Sequence, residues 1–180
     1  DFITCSICCT MNLIINKADI QDYKVISKAL SIDKTDEYIR EAQEIDLMEL
    51  VPRLFYFDLV NKFQEQKYQK LIHGDTYTVD GVEIQFSGLK PVLAYFAYSR
   101  LAIRGDVTST PFGFEQKRNE WGDRVSGTEK RDMRDEARQI ANSYFSQVVD
   151  YIMEHKEDYP LFFENECKKP KRNKINISKI

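Results

Sequence analysis

Residues 126–155 read SGTEKRDMRDEARQIANSYFSQVVDYIMEH, and this stretch decides the fold. Ser126 followed three residues later by Glu129 is a capping box, in which each side chain satisfies the other residue's backbone N–H. Met133, Ala137, Ile140, Tyr144, Val148 and Tyr151 then recur at spacings of 4, 3, 4, 4 and 3, so they line one face of a helix. At 1.5 Å per residue that helix is on the order of 40 Å long. A compact domain of this length has a radius of gyration of roughly 16 Å. Part of the helix is therefore expected to pack on something outside its own domain.

Working toward the N-terminus, Gly105 is expected to stop a second strong helix, Leu89 to Arg104. Ser87 is its expected cap and Pro91 suits its first turn. Val92, Leu93, Tyr95, Phe96 and Ile103 give it an apolar and aromatic face. Before it, Thr76 to Val79 and Val82 to Phe86 flank Asp80-Gly81. An Asp-Gly pair between alternating apolar residues predicts a hairpin with a type I′ turn, because both turn positions need positive φ. A lone hairpin is marginal, so this one must lie on helices or on a neighbouring chain. Tyr77, Asp80 and Gly81 are the candidate hairpin contacts.

Two earlier helices are expected. One starts at Thr35, with Thr35 as cap and Asp36 and Glu37 complementing the dipole. Its face is Tyr38, Ile39, Ala42 and Ile45. The other follows Pro52, carries Leu54, Phe55, Leu59 and Phe63, and ends in the polar run Gln64 to Gln69. Leu13 to Asn16 reads as extended, and Ala18 to Lys28 as irregular or weakly helical. Gly105 to Gly127 reads as a long polar loop. Within it Thr110, Pro111, Phe112, Phe114 and Trp121 form a candidate protein interface, because aromatic anchors in a long ordered loop are typical of contact surfaces; the alternative is that Phe112, Phe114 and Trp121 fold back and plug the ends of the bundle. Pro160 is expected to end helical structure. The fold class is thus mainly α: a helical bundle with one long C-terminal helix and a small β-hairpin insertion. Residues 1–12 are read as a leader or disordered segment, 13–162 as a single helical domain with its hairpin at 76–86, and 163–180 as a basic flexible tail.

Composition narrows the function. The 180 residues are 42% hydrophobic, 12% aromatic and 31% charged, with a formal net charge of -3. A mildly acidic chain is a poor candidate for a dedicated nucleic-acid binder. No run approaches the roughly 18 apolar residues of a membrane helix. Cys5, Cys8 and Cys9 crowd one end and Cys167 stands alone, a poor disulfide framework that points to a reducing compartment. The C-x-x-C-C run lacks a second ligand pair. Neither His73 nor His155 has partners at metal-ligand spacing. There is no phosphate-binding glycine loop, nucleophile elbow or His-Glu-x-x-His. Carboxylates such as Glu41, Glu44, Asp46 and Glu49 read as a solvated helix face. The expectation is a protein that assembles rather than an enzyme, with no catalytic, cofactor or metal residues. The tail, Lys168 to Lys179, holds six basic residues and no acid. It reads as a solubilising end, or as a DNA-binding or packaging accessory element acting by counterion release.

Several phrases resemble a known family. They are Glu37 to Gln43, Leu59 to Phe63, the Tyr77 to Gly81 turn, Gly88 to Tyr98, Thr110 to Lys117, the long helix, and Tyr159 to Phe162. Together they resemble the head–tail connector (adaptor) proteins of tailed bacteriophages, especially those of crAss-like phages and Bacteroidetes prophages. The resemblance covers roughly Thr35 to Phe162 and leaves out the first ten residues and the basic tail. It implies a helical virion protein that forms a ring, commonly of twelve subunits, beneath the portal. Such a ring extends the DNA channel, lets DNA pass without specific binding, and docks tail or neck proteins. The implied location is the head–tail junction, reached through the host cytoplasm during assembly, with no membrane partner.

Overall fold

A computed structural model describes residues 12–27, 30–111, 113–116 and 125–164. The protein is mainly helical. In chain order the elements are α1 (Lys17–Tyr23), α2 (Ile32–Glu41), a π-helical turn (Ala42–Leu47), α3 (Met48–Leu50), α4 (Arg53–Lys62), α5 (Gln66–His73), β1 (Asp75–Val79), β2 (Val82–Phe86), α6 (Leu89–Arg104), β3 (Val107–Thr110), β4 (Gly113–Gln116), α7 (Gly127–Glu154) and α8 (Pro160–Phe163). α6 is the central helix. Val92, Leu93, Ala94, Phe96 and Ala97 are all essentially inaccessible, and α1, α2, α5 and α7 pack around it.

The capping box forms as expected: the Ser126 hydroxyl accepts from the Glu129 N–H and the Glu129 carboxylate accepts from the Ser126 N–H. Ala137, Ala141, Val148, Tyr151 and Ile152 are the buried positions of α7. The small side chains at 137 and 141 let α7 approach α6 closely. Val148 and Ile152 fill the core beyond them. Met133, at the other end of the expected stripe, is 37% exposed.

Several boundaries differ from expectation. α2 begins at Ile32, capped by the Ser31 hydroxyl, which accepts from the Lys34 N–H. Thr35 lies inside the helix, and its hydroxyl donates to the Ser31 carbonyl. The expected face also breaks at Ile45, which is 52% exposed. The cause is the π-helical turn at Ala42–Leu47. One extra residue per turn rotates the downstream residues by about 100°, so Ile45 swings outward and Asp46 and Leu47 turn inward. Gln43, fully buried in that turn, accepts from the Ile14 N–H and donates to the Asn12 carbonyl. It anchors the segment read as extended, which is in fact irregular.

Residues 17–23, read as irregular or weakly helical, form α1 with an Asn16–Asp19 capping box. The polar run Gln64 to Gln69 follows the end of α4 at Lys62. It contains the start of α5, whose Tyr68, Leu71 and Ile72 are buried at helical spacing. Pro160 starts α8 instead of stopping a helix, sitting where its missing N–H is not needed. Tyr159 and Phe162 meet Phe55 edge-on at 6.2 and 5.3 Å, closing that end of the core. Finally, the loop after Gly105 contains a second antiparallel hairpin, β3–β4. Its root is held by Lys34, whose ammonium donates to the Gly105 and Val107 carbonyls at 2.8 and 2.6 Å.

Candidate interaction surface

The β1–β2 hairpin is built from its glycines outward. Asp80 and Gly81 have φ of 50° and 80°, as a type I′ turn demands. The ladder pairs Asp75 with Phe86, Tyr77 with Ile84 and Val79 with Val82. At its neck, Gly74 and Gly88 also have positive φ and their backbones touch. A Cβ on Gly88 would stand 2.4 Å from both the Gly74 nitrogen and the Ile72 carbonyl oxygen. This closeness explains why Gly88, not Ser87, occupies the cap position of α6, with no side-chain cap.

Aromatic rings fasten the hairpin's root to the end of α7. Phe86 stacks on Tyr151 at 4.1 Å, and Tyr77 meets Tyr151 edge-on at 5.3 Å. His155 stacks on the same ring at 4.2 Å, while its Nδ1 lies 2.9 Å from the Tyr151 carbonyl. Tyr77 is therefore a contact within the chain, whereas Asp80 and Gly81 stand exposed at the tip. Burial raises the Tyr77 phenol above its usual pKa, and the carboxylates of Asp150 and Glu154 raise it further.

Beyond the root the hairpin and α7 diverge. They leave a groove of about 460 Å³ lined by Tyr77, Val79, Ile84, Gln85, Phe86, Gln147, Asp150, Met153 and Glu154. Val82 is 63% exposed, Met153 39% and Ile84 37%. The sequence alone does not single out these positions. Its one signal is the apolar alternation 77, 79, 82, 84, 86, which is longer than the last turns of one helix can cover.

Several charged side chains pair with one another across the helices. Asp46 Oδ2 accepts from Arg100 Nε and Nη2 at 3.0 and 2.8 Å, and Oδ1 accepts from Arg138 Nη1 at 2.9 Å. Glu41 accepts from Arg100 at 2.8 Å and also from Arg104. This network joins α2, the π-helical turn, α6 and α7. Burial opposes the Glu41 carboxylate, but the hydrogen bonds and charge of Arg104, with those of Arg100, outweigh it and hold its pKa below the usual range. Asp19 and Lys90 form a second partly buried pair at 2.6 Å. His73, at the end of α5, has its pKa lowered by burial and by Lys90, against the pull of Asp19. Among the described residues no three His, Cys, Asp or Glu side chains gather as a metal site, and no helix is long and apolar enough to cross a membrane.

The candidate loop interface is only partly in view. Thr110 pairs with Gly113 and Phe114 with Ser109 in the β3–β4 ladder, and Pro111 is exposed in the turn. Phe112 and Trp121 lie outside the described residues, as do the four cysteines and the basic run from Lys168.

The architecture is mainly helical, with a groove beside the β1–β2 hairpin, a second hairpin and an exposed start to α7. The chain belongs to the family of unknown function DUF6712, whose model matches residues 51–172. That match runs from α4 through both hairpins to α8 and leaves α1, α2 and the π-helical turn outside it. No curated protein matches the chain, and no solved structure matches it.

Proposed function

We propose that this chain is a structural ring subunit of a phage head–tail junction. It would stack beneath the portal, extend the DNA channel and dock the tail, without enzymatic activity. The reading rests on the resemblance carried by Gly88 to Tyr98 and Thr110 to Lys117. One structural observation supports it most: the first ten residues of α7, Gly127–Glu136, are almost entirely exposed, and Val125 and Met133 add apolar surface there. Next to the hairpin turn, Val82 is a separate exposed apolar feature. Two unlike apolar surfaces on one chain suit the head-to-tail contacts that close a ring.

Cryo-electron microscopy of virions carrying this chain tests the reading. The expected result is a closed ring of this fold between portal and tail. A neck resolved without it would sink the proposal. A packaging accessory acting through the tail would instead lose salt-dependent DNA affinity when residues 168–180 are deleted, with no density at the neck.

A further inference from the structure

The groove between the hairpin and α7 has a chemical character that points to its occupant. Its floor is apolar, from Tyr77, Val79, Ile84, Phe86 and Met153, and its rim is acidic, from Asp150 and Glu154. No lysine or arginine lines it. Three consecutive β2 residues, Ile84, Gln85 and Phe86, border it, although alternate strand residues face opposite sides. The groove therefore reaches the edge of β2, and β2 has no strand partner other than β1 among the described residues. An open edge beside an apolar cleft accepts an extended segment as an added strand.

The chain itself carries a segment of the complementary kind. Residues 168–180 read KKPKRNKINISKI. Lys168, Lys169, Lys171, Arg172, Lys174 and Lys179 match the acidic rim. Ile175 and Ile177 sit two residues apart, which places them on one side of an extended chain. Reach is set by the chain between Glu164, the last described residue and ten positions after Glu154, and the isoleucines: Ile175 stands eleven residues beyond Glu164, and eleven extended residues span roughly 36 Å.

We infer that the C-terminal segment Lys168–Ile180 docks in its own chain's groove between β2 and α7, with Ile175 and Ile177 on the apolar floor and its basic residues against Asp150 and Glu154. Attachment to the same chain favours this over a neighbour's segment, because a short tether gives a millimolar-range effective concentration. The inference stands independently of the ring assignment, since it needs no second subunit.

The test uses the full chain, a version ending at residue 167, and a fluorescent peptide of residues 168–180. The peptide should bind the shortened chain and bind the full chain about tenfold more weakly, because the tether already fills the groove. Ile84→Lys and Met153→Lys, both at partly exposed positions, should each weaken peptide binding to the shortened chain by about tenfold or more without changing its circular dichroism. Asp150→Asn with Glu154→Gln should flatten the loss of affinity between about 50 and about 500 mM salt. Hydrogen exchange of residues 75–86 should be slower in the full chain than in the shortened one, and equally so across a roughly hundredfold dilution. Equal peptide affinity for the two chains, or binding indifferent to Ile84→Lys and Met153→Lys, overturns the proposal. So does protection that disappears on dilution, which would assign the groove to a neighbouring copy's segment.

Discussion

The two halves of α7 share one helix and one apolar spacing, yet meet different surroundings. From Ala137 onward the helix lies against α6 and the hairpin root, and Ala141, Val148 and Ile152 have no accessible surface. From Gly127 to Glu136 the same periodicity brings up Met133, which is 37% exposed. Periodicity tells which side of a helix is apolar. It does not tell whether anything covers that side, because coverage depends on the path of other elements. The outer half is held by its own capping box and by one tie to the segment after α6, the Lys130–Asp106 ion pair at 2.6 Å.

Substitutions that treat the halves unequally sharpen this contrast. The largest effect is expected for Ile152→Ala, which empties a fully buried site. It should cost about 3 kcal/mol in urea denaturation, while Met133→Ala should cost under ~0.5 kcal/mol. Similar losses for both would mean that the outer half is packed within the single chain.

Asp46→Ala comes next. It removes the acceptor that ties Arg138, one position past the boundary between the halves, to Arg100 and the π-helical turn. The expected loss is about 2 kcal/mol, moderated because Arg138 is itself 40% exposed and Arg100 keeps Glu41. Arg138→Ala should cost less than Asp46→Ala, since it strands no buried charge.

A smaller effect is expected on the acid limb of the stability profile. Glu41 has a folded pKa below its unfolded one. Its contribution is fully present above the usual carboxylate range and is lost as the pH falls through the lowered folded value. The wild-type chain should therefore hold its stability near neutrality and lose it below about pH 4.3. Glu41→Gln should begin lower at pH 7 and show a shallower acid loss, measured as denaturation midpoints against pH. An unchanged slope would show that the network does not couple α2 to α6.

The smallest effect is expected for Ser126→Ala. Loss of the cap removes about 1 kcal/mol of local helix stability. Because the outer half packs on little, hydrogen exchange should speed up at residues 127–133 while the denaturation midpoint hardly moves. A large midpoint shift would mean that the exposed half is coupled to the core.

The candidate surface was legible only where its chemistry is local. Asp80-Gly81 announced the hairpin turn, because its positive φ values are a property of those two residues. The neck was not legible: Ser87 looked like a cap, and only the contact between Gly74 and Gly88 excludes a side chain there. Tyr77 was readable as one of an alternating set. That its ring goes to Tyr151, leaving Ile84 over an open groove, depends on where α7 ends. The second hairpin was hidden in a polar stretch, since its strands are short and its root is fixed from far away in sequence by Lys34.

The sequence by itself determined the long helix and its cap, the limits of α6, the type I′ turn and the mainly helical class. All of them arise from interactions spanning a few residues, namely caps, i to i+4 spacing and turn dihedrals. The tertiary structure alone decided the rest. The π-helical turn rotates Asp46 inward and Ile45 outward, a new helix, α5, starts within the polar run Gln64 to Gln69, and Pro160 opens a helix. Each of these is fixed by a partner distant in the chain: Arg100 and Arg138 for Asp46, the core for Tyr68 and Leu71, and Phe55 for Phe162. Local sequence sets what a segment can be, while burial against a distant partner supplies the free energy that selects among those options.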